Sequence, residues 1–326
     1  MRFPSTLRPL YAAVLALGTL AMLARPASAD LIDPNLPAYK PSHDVSGRVA
    51  LMGSTTMTNV AGIWMDTFKQ YHPEVQDTLE IRGSRGAVDA VLSGDATFGL
   101  LSRSISKEEV DRFRAKFGYD PKVLTCCLEP IAIYVHKDNP IRSLTVEQVR
   151  DIFTGKAKTW GDVGVTGQWA PQPILTHGRG EQTGSRVFLE QGLLRGAQHT
   201  VRTEHESNRD LVTGVGSDYR GIGYAGLIYK LPGVKAVAIS AGPEQQPVAV
   251  DSLAAARGGY PIALVRPLQL VVNQPATGEL PKPAAEFLRY VFSRSGQEDV
   301  IKGGFQPISA RPARIALDAT GLSAAR

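Results

Sequence analysis

The feature that most constrains this chain is a unit that recurs: an apolar, strand-like run, a turn of Gly, Ser and Thr, then an amphipathic helix. Its first copy is "GRVALMGSTTMTNVAGIWMDTF", whose turn Gly53-Ser54-Thr55-Thr56 carries no charge. A turn that needed only flexibility could be Asn-Gly or Pro-Asp. This one sets small hydroxyls where a helix has unpaired backbone donors. Three further copies follow. "IRGSRGAVDAVL" has Ser84 near a helix start, "FGLLSRSISKEEV" has Ser102 and Arg103 after a strand, and "THGRGEQTGSRVF" has Arg179 four residues before Thr183-Gly184-Ser185.

Strands and helices alternate from about residue 47 onward, which predicts α/β architecture with parallel strands. Helices are expected over about Thr58 to Tyr71 and Ala87 to Ser93. Another opens at Ser106, with Glu109 three positions on as a capping box, and a further one is closed by Gly155. Two long apolar runs, near 131–137 and 262–272, divide the chain. A chain that leaves one domain by such a strand and returns by another makes two lobes with a cleft between them, where a ligand binds. The expected division is lobe 1 at 47–132 plus 268–312 and lobe 2 at 133–267, with an extended Pro/Asp-rich lead-in at 30–46 and a loose Ala/Arg-rich tail at 313–326.

The first 29 residues, "MRFPSTLRPLYAAVLALGTLAMLARPASA", read as a signal peptide: a basic start, an apolar stretch too short to span a membrane comfortably, and an A-x-A cleavage site. The mature chain is therefore expected outside the cytoplasm. Removing Arg2, Arg8 and Arg25, with no acid, from a formal charge of +5 leaves about +2. That surplus is too thin for a nucleic-acid surface. Cys126 and Cys127 are adjacent in a strand-like run, so their side chains should point to opposite faces as two buried thiols. The six histidines show no ligand spacing beyond "HTVRTEHE", read as a solvated polar stretch. Neither a zincin helix, a G-x-S-x-G elbow nor a lysine-bearing P-loop occurs, so no metal, cofactor or catalytic residue is expected. Trp160 is expected to pack the second lobe, and Glu181 to pair with Arg179.

Helix N-termini present free N–H groups and about half a positive charge. Hydroxyls rotate to suit an acceptor, and an arginine fork matches an oxyanion. Taken singly, each loop is also an ordinary N-cap worth about 1 kcal/mol. Aimed at one point, the four would cage a small tetrahedral anion. Composition alone leaves the two readings level.

The motifs break the tie. "GSTTMTNVAGIW", "GSRGAVDAVLSGDATFGLLSR" and "GRGEQTGSRVF", followed by "GIGYAG", "RPLQLVVNQP" and "GGFQPI", stand in the order and spacing of one family over about residues 47–310. The chain resembles the periplasmic phosphate-binding proteins of ABC transporters, the PstS-like group with the type 2 periplasmic binding protein fold. The resemblance implies an α/β body of two lobes, mixed sheets flanked by helices, and two hinge strands. It implies a monomer that captures inorganic phosphate in the periplasm and delivers it to an ABC permease in the inner membrane. Carried over, the ligand residues fall on Thr55, Thr56, Ser84 and Ser102 from lobe 1, and Arg179, Thr183, Gly184 and Ser185 from lobe 2. Ser54, Arg85 and Arg103 stand beside them as further candidates, with solvent the favoured position for Arg85. Some members carry an Asp where this chain has Ser102. Sulfate, molybdate or tungstate binding, or a secreted phosphatase on the same fold, are the alternatives.

Overall fold

The structure is a computed structural model and describes residues 31–181, 183–251 and 255–322. The expected signal peptide lies outside the described residues. Along the chain, β1 (Gly47–Gly53), α1 (Thr58–Tyr71), β2 (Val75–Ile81), α2 (Gly83–Ser93), β3 (Phe98–Leu101) and α3 (Lys107–Phe117) come first. The long β4 (Lys122–His136) leads to β5 (Ser143–Thr145), α4 (Val146–Phe153), β6 (Leu175–Arg179), α5 (Gly184–Phe188), β7 (Thr203–His205), α6 (Asn208–Ser217), β8 (Gly221–Gly226), β9 (Val234–Ala236) and β10 (Ala238–Ser240). Then β11 (Val265–Val272), α7 (Lys282–Val291), α8 (Arg294–Lys302) and α9 (Ala310–Ala319) return to the first half.

Local chemistry accounts for these elements. In α1, Val60, Ala61, Trp64, Met65 and Phe68 recur on one helical face and are buried. The Trp64 indole also donates to Gly296 O at 2.9 Å. Ser106 and Glu109 form a reciprocal capping box on α3. Gly155 takes φ 75° just past α4, the left-handed stop that favours glycine. Helix α2 begins at Gly83 rather than near Ala87, because the Gly-Ser-Arg-Gly loop is itself the first helical turn.

The principal sheet runs β2-β1-β3-β11-β4-β8-β6-β7, with β9 also on β4. Strands β1, β2 and β3 are mutually parallel, as are β6, β7 and β8, while β4 and β11 run antiparallel to their neighbours. The fold is therefore mixed α/β. Strand β4 passes between two hydrophobic cores. Its residues 122–130 pair with β11, and its residues 131–135 pair with β8. Cys127 and Leu268 belong to the first core, Ile131 and Leu264 to the second. Strands β4 and β11 are the two expected as hinges, and we refer to the body around each core as lobe 1 and lobe 2.

Two local expectations need correction, and a third segment finds its place. The register slips between Leu268 and Gln269, so Cys126 is the extra residue of a β-bulge. A bulge breaks the strict alternation of a strand, and both thiols lie in the lobe 1 core instead of on opposite faces. The tail is not loose as far as Leu322. Ala313, Ala316 and Leu317 recur at helical spacing, and α9 packs them against lobe 1. The alanines are part of its apolar stripe. The lead-in, in turn, is docked: Ile32, Leu36 and Val45 enter the lobe 1 core, and the Tyr39 hydroxyl donates to Glu286 at 2.8 Å. No helix among the described residues is long and apolar enough to cross a membrane.

Candidate functional site

All four recurrent loops reach the same cleft. One cavity of about 230 Å³ is lined by Thr55, Thr56, Ser84, Ser102, Arg179, Thr183, Gly184 and Ser185, the eight positions named from the sequence. Ser54, Arg85, Arg82, Gly83 and Asn208 complete its lining. The lobe 1 loops arrive there because β1 and β3 are parallel neighbours, and both end on the same side of the sheet. The lobe 2 loop arrives from the end of β6, which bears Arg179.

The lobe 1 wall is a network of hydroxyls. Ser54 Oγ donates to Ser102 Oγ at 2.8 Å, and Ser84 and Ser102 Oγ lie 3.1 Å apart. The Ser102 amide donates to Ser84 Oγ at 3.2 Å. Ser54, Thr56, Ser84 and Ser102 are all buried, whereas Thr55, Arg82 and Arg85 are exposed at the rim. Ser54 caps the short turn Thr55–Met57 ahead of α1, accepting from the Thr56 amide. Ser84 stands in the first turn of α2, where amides are unpaired.

The lobe 2 wall carries the charge that is held in place by hydrogen bonds, Arg82 and Arg85 of lobe 1 being exposed at the rim. The Arg179 guanidinium donates from Nε to His205 O at 3.1 Å, from Nη1 to Asn208 Oδ1 at 2.8 Å, and from Nη2 to Glu206 O at 2.6 Å. A guanidinium has five N–H groups, so two remain for a ligand. Burial is the largest influence on its pKa and lowers it, and the charge of Arg266 acts in the same direction. Gly184 faces Ser102 across the cleft: a Cβ there would sit 2.6 Å from Ser102 Oγ, so only glycine lets the lobes come this close.

Some expectations fall elsewhere. Arg103 does not line the cavity. It grips Glu109 through two bonds of 2.8 and 2.7 Å and reaches Ser84 O at 3.3 Å, so it braces the second loop from behind. Glu181 pairs with Arg186 at 3.6 Å rather than with Arg179, whose anchors come from the His205–Asn208 segment. The stretch "HTVRTEHE" is not simply solvated. His199 is buried, and His205 stacks on His177, with His177 Nδ1 2.9 Å from His205 Nε2. Burial is the main cause lowering both of those histidine pKa values, so the pair is disposed to stay neutral.

Two residues escaped the sequence reading. Asn208 opens α6 and holds Arg179, but it sits in a polar run with no turn signature. Arg266 lies within an apolar strand, fully buried, and bonds two of the cavity hydroxyls. Opposite charges inside two otherwise apolar runs, Glu129 and Arg266, are the signal that would have found it.

The cavity offers hydroxyls, amides and a guanidinium, and no carboxylate among the described residues that line it. It is built to accept an anion. Comparison with known proteins agrees in fold and family. Residues 39–295 match the family profile described as a PBP superfamily domain. The phosphate-binding protein PstS of Pseudomonas aeruginosa is 35% identical over 300 residues, covering 89% of this chain and 92% of that one. A candidate phosphate ABC transporter substrate-binding protein of Clostridium perfringens, solved with bound phosphate, superposes with a TM-score of 0.64 at 23% identity, over 80% of this chain and 99% of its own. An ABC-type phosphate transport receptor of Vibrio cholerae gives a TM-score of 0.62 at 21% identity, over 79% and 98%.

Proposed function

The chain belongs to the PBP superfamily, among its phosphate-binding proteins, and from that premise we propose that it captures inorganic phosphate between its lobes for delivery to an ABC permease. It works in the periplasm as an exported monomer, by binding and release, without turnover. One observation carries the reading: eight residues chosen for phosphate from four separate stretches of sequence line a single cavity.

The physics of capture follows from the two walls. An oxyanion entering the cleft meets the hydroxyls and the α2 amides of lobe 1, then the free N–H groups of Arg179 once lobe 2 closes. Hydrogen bonds to a charged ligand contribute about 1.5–3 kcal/mol each. A handful of them, less desolvation and ordering, supports micromolar affinity or better, about −8 kcal/mol. Neither wall suffices alone, so binding favours the closed form and the hinge strands carry the motion.

Calorimetric titration of the mature protein with phosphate, sulfate, molybdate and tungstate tests this. Phosphate should saturate at micromolar concentration or below, ahead of the other three. No heat with phosphate, or saturation by another of the four at lower concentration, overturns the assignment.

A further inference from the structure

We propose that Arg266, paired with Glu129, is a positioning residue for the anion site: it receives no ligand itself but aims one hydroxyl from each lobe into the cleft. The two are register partners on the hinge strands β11 and β4, 137 positions apart in sequence. Both are buried, Arg266 completely. Arg266 Nε donates to Glu129 Oε2 at 2.9 Å, and its Nη2 donates to the same oxygen. The guanidinium also reaches forward, from Nη1 to Ser185 Oγ at 3.2 Å and from Nη2 to Thr56 Oγ1 at 3.5 Å. Ser185 belongs to lobe 2 and Thr56 to lobe 1. A single buried cation thus touches both walls of the cavity from behind.

The consequence is one of hydrogen-bond polarity. A hydroxyl has one hydrogen to give. When an N–H of Arg266 occupies a lone pair of Ser185 or Thr56, that hydroxyl's own hydrogen is left for another acceptor. In Ser185 it points toward Asn208 Oδ1 at 3.4 Å, a long bond to an oxygen that Arg179 already uses at 2.8 Å. An anion in the cleft is the stronger acceptor and draws it away. Arg266 therefore commits both hydroxyls to donation before the ligand arrives, which a hydroxyl free to rotate does not do.

Glu129 holds the cation in place. Its Oε2 takes both bonds from Arg266, while its Oε1 is buried with no hydrogen-bond partner. Gly226, at the end of β8 in lobe 2, lies so close that any Cβ there would run into Oε1. The Arg266 guanidinium also stands 5.9 Å from the Phe188 ring at the end of α5. The pair is clamped at the point where chain and cleft change lobes.

The role rests on the phosphate reading, and the test separates the two. Phosphate affinity is measured by calorimetry for wild type, Arg266→Gln, Ser185→Ala and the double variant. Arg266→Gln should weaken binding at least tenfold. Because part of its effect runs through Ser185 and the rest through Thr56, the double variant should lose less than the product of the two single losses. Should Arg266→Gln fail to fold with Glu129 left unpaired, the same comparison is made in Arg266→Gln/Glu129→Gln, with and without Ser185→Ala. Binding within twofold of wild type, or single losses that simply multiply, overturns the role of Arg266 and leaves the phosphate reading intact. A wild-type protein that binds no phosphate defeats both.

Discussion

The two walls of the cleft answer the same task with different chemistry. Lobe 1 buries neutral dipoles: Ser54 and Ser84, each hydrogen-bonded to Ser102, in the turns that follow parallel strands and at the start of α2. Lobe 2 brings a cation whose orientation is bought with three of its five N–H groups. The difference has a physical basis. Hydroxyls at helix starts cost little to bury because they satisfy each other while the cleft is open. A guanidinium cannot do that and needs acceptors of its own, hence the carbonyls of His205 and Glu206 and the amide oxygen of Asn208. Lobe 1 is thus a pre-formed seat, and lobe 2 supplies the charge that makes closing on an anion favourable.

The largest effect should come from removing that charge. Arg179→Ala deletes the two N–H groups left for the ligand, each worth about 1.5–3 kcal/mol with a charged partner. Phosphate affinity is expected to fall at least about a hundredfold, since 1.4 kcal/mol is a factor of ten. Arg179→Lys should restore little, because an ammonium has three donors and cannot hold three anchors and a ligand together. Calorimetric titration decides it. An alanine variant within twofold of wild type would mean that the charge of lobe 2 does not meet the anion.

Much of this site was legible because each loop is local. Strand, small-polar turn and helix follow one another locally, so Thr55, Ser84, Ser102 and Ser185 stood out without knowing how the lobes meet, and the family resemblance then chose the ligand reading over ordinary caps. Arg266 and Asn208 were not, since their roles depend on partners 137 and 29 positions away. Arg103 misled for the same reason. Its place beside Ser102 made it a candidate, but Glu109 captures it from the far side of a turn. The Cys126 bulge and the docking of α9 depend on register and on what the tail packs against, which periodicity alone does not reveal.

Acid should also weaken the folding of lobe 2. In lobe 2, burial lowers the pKa of His177, His199 and His205, with His199 brought down to about 3. Both ring nitrogens of His199 lack a hydrogen-bond partner, and its ring meets Phe153 and Tyr224 edge-on. The depressed pKa means that the unfolded chain takes up a proton the folded one refuses. The stabilising contribution is therefore complete above about pH 6.5 and is lost as pH falls toward about 3. Within that window the slope is about 1.4 kcal/mol per pH unit, so roughly 2 kcal/mol disappears by pH 5. His199→Leu should flatten the slope. Denaturant unfolding at pH 7.5 and 5 measures it, and equal losses in variant and wild type would refute the assignment.

The smallest effect is the one that tests the seat. Ser84→Ala removes one member of the hydroxyl network that also accepts from the Ser102 amide at 3.2 Å. A hydrogen bond to a charged ligand contributes about 1.5 kcal/mol at the low end, and Ser54 and Ser102 remain to donate. Affinity should drop about tenfold, with denaturation little changed. The contrast with Arg179→Ala is the informative quantity. A pre-formed wall of several equivalent donors loses one of them gradually, whereas Arg179 is the one cation among the described residues with which lobe 2 lines the cavity. If Ser84→Ala cost as much as Arg179→Ala, the hydroxyls could not be interchangeable, and lobe 1 would hold a single indispensable contact rather than a distributed one.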